Sequence, residues 1–275
     1  MSIWVAGLVA VFLWWFSTGA ILVVIRLADQ RGGRARMLAL VGSLPLLALG
    51  IWGFFETRMD TSVLAAYGAF LSALAIWGWA EISFLTGAIT GPNGEACPPD
   101  VDETERFWLA WGTVAYHEVL LTILFGAVMI FGAGAENTVA ILTFSVLYFA
   151  RISAKLNLYM GVRKINAEFL PGVLGHLPSH FRIARLNWFF PVSVTVLSWT
   201  SAVWFHKVLY AATPGEAVGH ALLFAITMLA LLEHWLMVLP WPDAELWRWM
   251  LPGADRPGQT PLTQKTTRPE GPDGF

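Results

Sequence analysis

Charge is what this sequence has least of. Of its 275 residues only 13% are Asp, Glu, Lys or Arg, while 56% are hydrophobic; soluble domains carry about a quarter charged residues. A chain this long could bury a large core, but it has no charged coat to show to water, so the bilayer must be its main solvent. Cysteine is almost missing as well. Cys97 stands alone, which rules out an internal disulfide and every CxxC-type zinc or thioredoxin site. The sequence also lacks a glycine-rich phosphate loop, a Ser-His-Asp arrangement and nucleic-acid motifs, so no nucleic-acid partner is expected. The N-terminal stretch MSIWVAGLVAVFLWWF has neither the positive leader nor the small-residue cleavage site of a signal peptide. It is expected to be a permanent first span.

What the sequence has instead is long apolar runs. About 20 residues suffice to cross ~30 Å of hydrocarbon, and the apolar segments fall at 2–25, 37–55, 62–89, 107–131, 138–159, 186–210 and 217–239. The runs are continuous rather than alternating, so helices, which satisfy their own backbone in lipid, are expected in place of barrel strands. The 15 tryptophans and 18 phenylalanines suit membrane interfaces. The fold expected is all-α: a polytopic membrane helical bundle of about seven transmembrane helices forming one domain over 1–240. A cytoplasmic tail at 241–275, rich in Pro, Gly and Thr, is expected to be largely disordered. Of the 17 Lys and Arg, all but Arg58 and Lys207 fall in odd-numbered loops, next to them or in the tail. The positive-inside rule then places the N-terminus outside and the C-terminus inside. The stretch PPDVDETERFW reads as a helix start, its acids favouring the positive end of the dipole.

Ionisable groups within spans are rare and mark functional sites by default. Here they are Glu81 in span 3, His117 and Glu118 in span 4, Arg151 and Lys155 in span 5, and Glu233 and His234 in span 7. At ~1.5 Å per residue, His117 lies ~15 Å inside the cytoplasmic end of its span, Glu81 ~12 Å and Glu233 ~10 Å. Four helices therefore bring such groups to the cytoplasmic half, where they could line a buried polar or pigment-binding site. Arg151 and Lys155, at i and i+4, share a face flanked by Tyr148 and Tyr159; the alternative is that they snorkel to the interface. His220, Thr227 and His234 recur at heptad spacing on one face of span 7, a helix-packing stripe for the first two.

His117-Glu118 carries no HExxH, since Leu121 stands where the second histidine would be, and the paired ExxH of di-iron bundles is missing. Two readings of His117 stay open: axial ligation of a tetrapyrrole metal, or a buried imidazole satisfied by a carboxylate. No other metal role is assigned. In loop 5, His176 and His180 have HxxxH spacing, but Pro178 interrupts them and should start a new turn. The same loop interleaves Arg163, Lys164, Glu168, His176, His180, Arg182 and Arg185 with Phe169, Leu170, Val173, Leu174 and Phe181. That pattern suits a segment lying on the anionic membrane surface or a dock for a partner.

The block FARISAKLNLYMGVRKINAEFLPGVLGHLPSHFR, Phe149 to Arg182, with AYHEVLLTILFG upstream, resembles the PuhE-type family of photosynthetic complex assembly proteins of purple phototrophic bacteria. The resemblance covers the chain from first to seventh span. It implies a place in the machinery that builds reaction-centre and light-harvesting complexes, in the cytoplasmic (inner) or intracytoplasmic membrane, with a link to the supply of bacteriochlorophyll or a precursor. The partners implied are complex subunits or pigment-biosynthesis proteins. The family has no catalytic signature, and the matching residues Arg151, Lys155, Asn157, Asn166, Glu168 and Pro171 come with no known role. A non-enzymatic assembly or pigment-handling factor is therefore the first expectation. A membrane enzyme acting on a tetrapyrrole or isoprenoid through the His/Glu cluster is the alternative. A transporter ranks third, since no internal duplication is evident.

Overall fold

A computed structural model of the chain describes residues 3–165 and 167–240, the Glu168 side chain excepted. Asn166, the side chain of Glu168 and the tail expected at 241–275 lie outside the described residues. The described residues are helical, with a single isolated bridge between Val162 and Ile183 and no strand. In chain order the helices are α1 (Ile3–Gln30), α2 (Gly33–Gly42), α3 (Leu44–Thr57), α4 (Val63–Leu85), α5 (Glu103–Phe131), α6 (Val139–Met160), α7 (Phe189–Leu209) and α8 (Pro214–Leu236).

Among the described residues, six stretches are long and apolar enough to cross a bilayer: α1, α2 with α3, α4, α5, α6 and α8. The expected second span is divided at Ser43, whose hydroxyl donates to the Leu40 carbonyl at 2.7 Å just before Pro45 enters α3. Proline has no N–H for the preceding turn, so the helix restarts there. α7 has the length to span, 21 residues, but Ser193, Thr195, Ser198, Thr200, Ser201 and His206 dilute its apolarity. It nevertheless runs antiparallel to α8 from end to end, pairing Phe190 with Trp235 and Trp204 with His220.

The connections sort to two ends. At one end, Asp29 in the last turn of α1 accepts from the Gly172 N–H at 2.8 Å, and Arg106 donates to the His180 carbonyl at 3.0 Å. At the other, Asn137 donates to the Asp60 carbonyl at 3.0 Å and Arg58 to the Phe131 carbonyl at 3.1 Å. Gly215, at the start of α8, abuts the Thr61 carbonyl at this second end. The odd and even connections thus lie on opposite ends, as a bundle with α7 among its crossings requires. The protein is a multi-pass, all-α membrane bundle.

α4 and α8 form its centre. Ala66, Ala69, Phe70 and Ala73 pack with Val218, Leu222 and Ile226 and with Phe144 of α6 in one buried cluster. Small residues let helices approach where lipid supplies no hydrophobic drive. Outward faces are apolar: Leu8, Phe12 and Phe16 of α1, Trp52 of α3 and Trp199 of α7 are exposed.

Two irregular segments shape one end. α4 stops at Leu85, short of the expected 89, because Gly87 takes a φ of +77° that turns the chain back. The connection then runs along α5: Thr90 accepts from the His117 N–H, and Asn93 donates to the Gly112 carbonyl, each at 3.0 Å. This approach is so close that a Cβ on Gly91 would sit 2.0 Å from the Gly112 oxygen. The helix start read at PPDVDETERFW is present, with Asp102 as N-cap accepting from the Glu105 N–H at 2.8 Å. The second segment, 161–188, is pinned at its base, where Val162 donates to the Arg182 carbonyl at 3.1 Å and Ala184 donates to Val162 at 2.9 Å. Between these, short 3₁₀ turns at Ala167–Phe169, Gly172–Leu174 and Leu177–His180 fold inward. Leu174 and Leu177 are buried on Phe84, with Leu170, Val173 and Phe181 against them. The apolar residues of this segment cover the truncated end of α4, and His180 is buried at 1% exposure.

Candidate functional site

The ionisable residues of α4, α5 and α6 meet in pairs. Glu81 Oε2 lies 3.0 Å from a terminal guanidinium nitrogen of Arg151. One turn along the same face of α6, the Lys155 ammonium donates to Glu118 Oε1. Neither cation snorkels; each turns inward to a carboxylate, because a charge taken out of water needs a partner. Phe84, three residues after Glu81 on the same face of α4, lies beneath both cations. Its ring centroid is 5.8 Å from Arg151 Cζ and 5.6 Å from Lys155 Nζ, within cation–π range.

These pairs form part of the wall of a cavity of about 680 Å³. Stripes from several helices enclose it: Trp14, Thr18 and Leu22 of α1; Phe107, Trp111, Val114 and Glu118 of α5; Tyr148, Arg151 and Lys155 of α6; and Leu229, Glu233 and Leu236 of α8. The 161–188 segment closes one side with Lys164, Leu177, His180 and Phe181. The walls are aliphatic and aromatic, and the charges gather in one region. A few hundred to ~1,000 Å³ of mostly apolar space with a few convergent polar groups is the form of a small-molecule or cofactor site.

The candidates named from the sequence divide. Glu118, Arg151, Lys155 and Glu233 reach the cavity, and Glu81 stands behind Arg151. His117 does not reach it. Its ring has no exposed surface, lies 4.6 Å from the Phe84 ring, and keeps Nε2 4.0 Å from Glu81 Oε1 with neither ring nitrogen hydrogen-bonded. The His117 imidazole therefore does not line the cavity. Nor does His234. Its Nδ1 bonds the Ala230 carbonyl at 2.8 Å and its Nε2 bonds the Ser153 hydroxyl at 2.9 Å. A carbonyl only accepts, so Nδ1 carries the proton and Nε2 receives one from serine. This ring is a packing element between α6 and α8. Thr227, fully buried, bonds the Leu223 carbonyl of its own helix, and His220 stacks on Trp204.

Within the 161–188 segment, Lys164 and His180 face the cavity, while Arg163, Arg182 and Arg185 are exposed at its rim. Arg182 donates to Glu103 and Arg163 to the Arg185 carbonyl. His180 Nε2 donates to the Glu95 carbonyl at 3.1 Å, tying the two irregular segments together. His176 is half-buried, and burial, with His180 beside it, holds its imidazole below the ordinary value. Pro178 does start a new turn between the two. Among the described residues no three His, Cys, Asp or Glu side chains gather as a metal site.

The aromatic wall was not singled out from sequence, though a signal existed. Phe107, Trp111, Val114 and Glu118 follow 4-3-4 spacing, so the stripe through Glu118 names its cavity neighbours. Trp14 gives no such sign, since α1 is apolar all round. Phe84 could have been found as Glu81 plus three.

Compared with known proteins, the chain matches the family described as Protein of unknown function (DUF3623) over residues 1–258. A protein of Rhodobacter capsulatus, described as an uncharacterised 30.4 kDa protein in the puhA 5′ region, is 49% identical over 258 residues, 94% of each chain. No solved structure matches.

Proposed function

This chain belongs to the DUF3623 family, and from that premise we propose that it is a membrane assembly factor for photosynthetic complexes of the PuhE type. In this reading it holds bacteriochlorophyll or a precursor on the way to reaction-centre and light-harvesting subunits. The observation that carries the proposal is the cavity, about 680 Å³ with aromatic and aliphatic walls and two ion pairs in one region. The relative's place in the puhA 5′ region supports the same reading.

The residues fit such a cargo. Trp14, Phe107, Trp111 and Phe181 offer flat apolar surface to a macrocycle and its tail. Lys155 and Arg151, already paired with carboxylates, present ordered donors to carbonyl groups at its edge. The exposed arginines 163, 182 and 185, beside the segment that closes the cavity, provide contacts for a nascent subunit or a biosynthetic enzyme. The basic end faces the cytoplasm, and the membrane is the cytoplasmic or intracytoplasmic one.

The test is purification in mild detergent from phototrophically grown cells, followed by an absorption spectrum. Stoichiometric pigment, reduced in Trp111→Ala, together with lowered complex levels in a deletion strain, is the expected outcome. Pigment-free protein with unchanged complex levels would refute the proposal.

A further inference from the structure

One side chain on the cavity wall carries a lone pair without a partner. His180 lines the cavity from the 161–188 segment and is 1% exposed. Its Nε2 lies 3.1 Å from the Glu95 carbonyl, which can only accept, so the ring proton sits on Nε2 and Nδ1 is left as an acceptor. That Nδ1 is buried and makes no hydrogen bond among the described residues. The ring is held where it stands. Arg106 donates to the His180 and Tyr159 carbonyls, each at 3.0 Å, and the Cys97 N–H donates to the neighbouring Ser179 hydroxyl at 2.9 Å. Glu95 is anchored as well: its N–H donates to Asn93 Oδ1, and the Asn93 amide donates to the Leu109 carbonyl of α5, each at 3.0 Å. A carbonyl fixed in this way sets the tautomer of an imidazole and leaves the other nitrogen to serve a ligand. His176, one turn earlier, does not line the cavity.

A buried acceptor with no donor is costly, and an occupant that supplies one relieves the cost. A tetrapyrrole has its nitrogens at the centre of the ring, so what can donate from its rim is a hydroxyl. A carbonyl at that place would set lone pair against lone pair, and an acyl chain has nothing to offer. Arg151, Lys155 and Lys164, which line the same cavity, are donors and suit the carbonyls of the rim. Resting on the pigment reading above, we infer that His180 Nδ1 accepts a hydrogen bond from a hydroxyl on the rim of the tetrapyrrole, so that the cavity selects a hydroxyl-bearing pigment or precursor over its ketone counterpart. A site with a polar group placed for a hydroxyl rejects the analogue lacking it, because that group is then left unpaired.

The experiment titrates the detergent-purified full chain with bacteriochlorophyll, whose rim carries an acetyl ketone, and separately with the same pigment after borohydride reduction of that ketone to the alcohol. Binding is followed by quenching of fluorescence from the tryptophans, two of which, Trp14 and Trp111, line the cavity. Wild type should favour the alcohol by about tenfold, the effect of one net hydrogen bond. A glutamine amide nitrogen reaches where Nε2 stands, so His180→Gln keeps the donor to Glu95 and removes the acceptor; it should lose the preference and keep its thermal midpoint. His180→Asn does the reverse, setting an oxygen where Nδ1 stands; it should keep the preference and melt earlier. A preference that persists in His180→Gln, or that wild type does not show, overturns the inference and leaves pigment binding standing. A long isoprenoid alcohol that displaces the pigment from wild type but not from His180→Gln would place the hydroxyl on a chain rather than the ring, and overturns it likewise. If wild type binds neither pigment, the proposed function falls and the inference falls with it.

Discussion

Lys155→Met is the perturbation that tests the site most directly. The Lys155 ammonium is the sole side-chain partner of Glu118 among the described residues, and Glu118 is 7% exposed. Truncating the lysine leaves a carboxylate between α5 and α6 with no counter-charge and little water. Stranding one half of a buried pair costs about 3–5 kcal/mol, against about 1 kcal/mol or less for an exposed pair. The side chain of Lys155 is 23% exposed toward the cavity, so the lower end of the buried range, about 3 kcal/mol, is expected. Removing both charges in Lys155→Met/Glu118→Leu should recover most of that loss, since an apolar replacement of the pair is nearly neutral. The resulting coupling should be about 2 kcal/mol or more. The assay is reversible unfolding in mixed micelles with increasing sodium dodecyl sulfate, followed by far-UV circular dichroism for the four corners of the cycle. Coupling below about 0.5 kcal/mol, the level of a solvated pair, would refute the idea that these charges are held together away from water.

Other parts of the structure give expectations of their own. Gly91→Ala puts a Cβ 2.0 Å from the Gly112 oxygen, so the connection must leave α5 and lose the bonds at Asn93 and His117. A loss above about 2 kcal/mol is expected in the same unfolding assay, and a change within ~0.5 kcal/mol would show that the segment does not lie there. His234→Leu should cost about 1–3 kcal/mol by leaving the Ser153 hydroxyl and Ala230 carbonyl without their ring partner; pigment titration should be unaltered, because the ring does not face the cavity. For His176 the sign follows from its lowered folded value. The neutral ring is favoured when folded, so its contribution is present above the unfolded value of about 6.5 and is lost as pH falls through the folded one. Protection against hydrogen exchange within 161–188, corrected for the intrinsic pH dependence of exchange, should therefore fall as pH drops below about 6.5, and His176→Gln should flatten that dependence; an unchanged profile in the variant would remove His176 as its cause.

What the sequence disclosed follows the range of each interaction. The spans were legible because a bilayer imposes a length, and the start of α5 because an aspartate cap and its acids act within one turn. Segregation of lysine and arginine anticipated which connections share an end. The polar residues were legible as a group, since a charge in an apolar run is conspicuous, but not individually. His117 and His234 look like Glu118 and Glu233 on paper, and ~100° of helix rotation per residue decides which of each neighbouring pair meets the cavity. Which rotation is taken depends on partners distant in the chain, such as Ser153 for His234 and Phe84 for His117. The inward packing of 161–188 was not legible for the same reason. Leu174 and Leu177 are as apolar facing Phe84 as they would be facing lipid, and composition cannot tell the two apart.

The same indifference of apolar groups to their surroundings explains why the cavity's charges matter. In water, an apolar cavity draws any apolar ligand of suitable size. In a membrane the competing occupant is an acyl chain, which Trp14, Leu229 or Leu236 would contact as readily as a pigment tail, so wall area contributes little selectivity. Discrimination must come from groups that an acyl chain cannot satisfy. These are the Arg151 and Lys155 donors, held rigid by Glu81 and Glu118, and the Glu233 and Lys164 side chains that line the cavity with them. The ion pairs also join α4 and α5 to α6, opposing closure of the space that the early end of α4 leaves open. Neutralising a pair should therefore loosen selection between cargo and lipid before it abolishes binding, whereas reducing an aromatic wall residue should weaken all occupants alike.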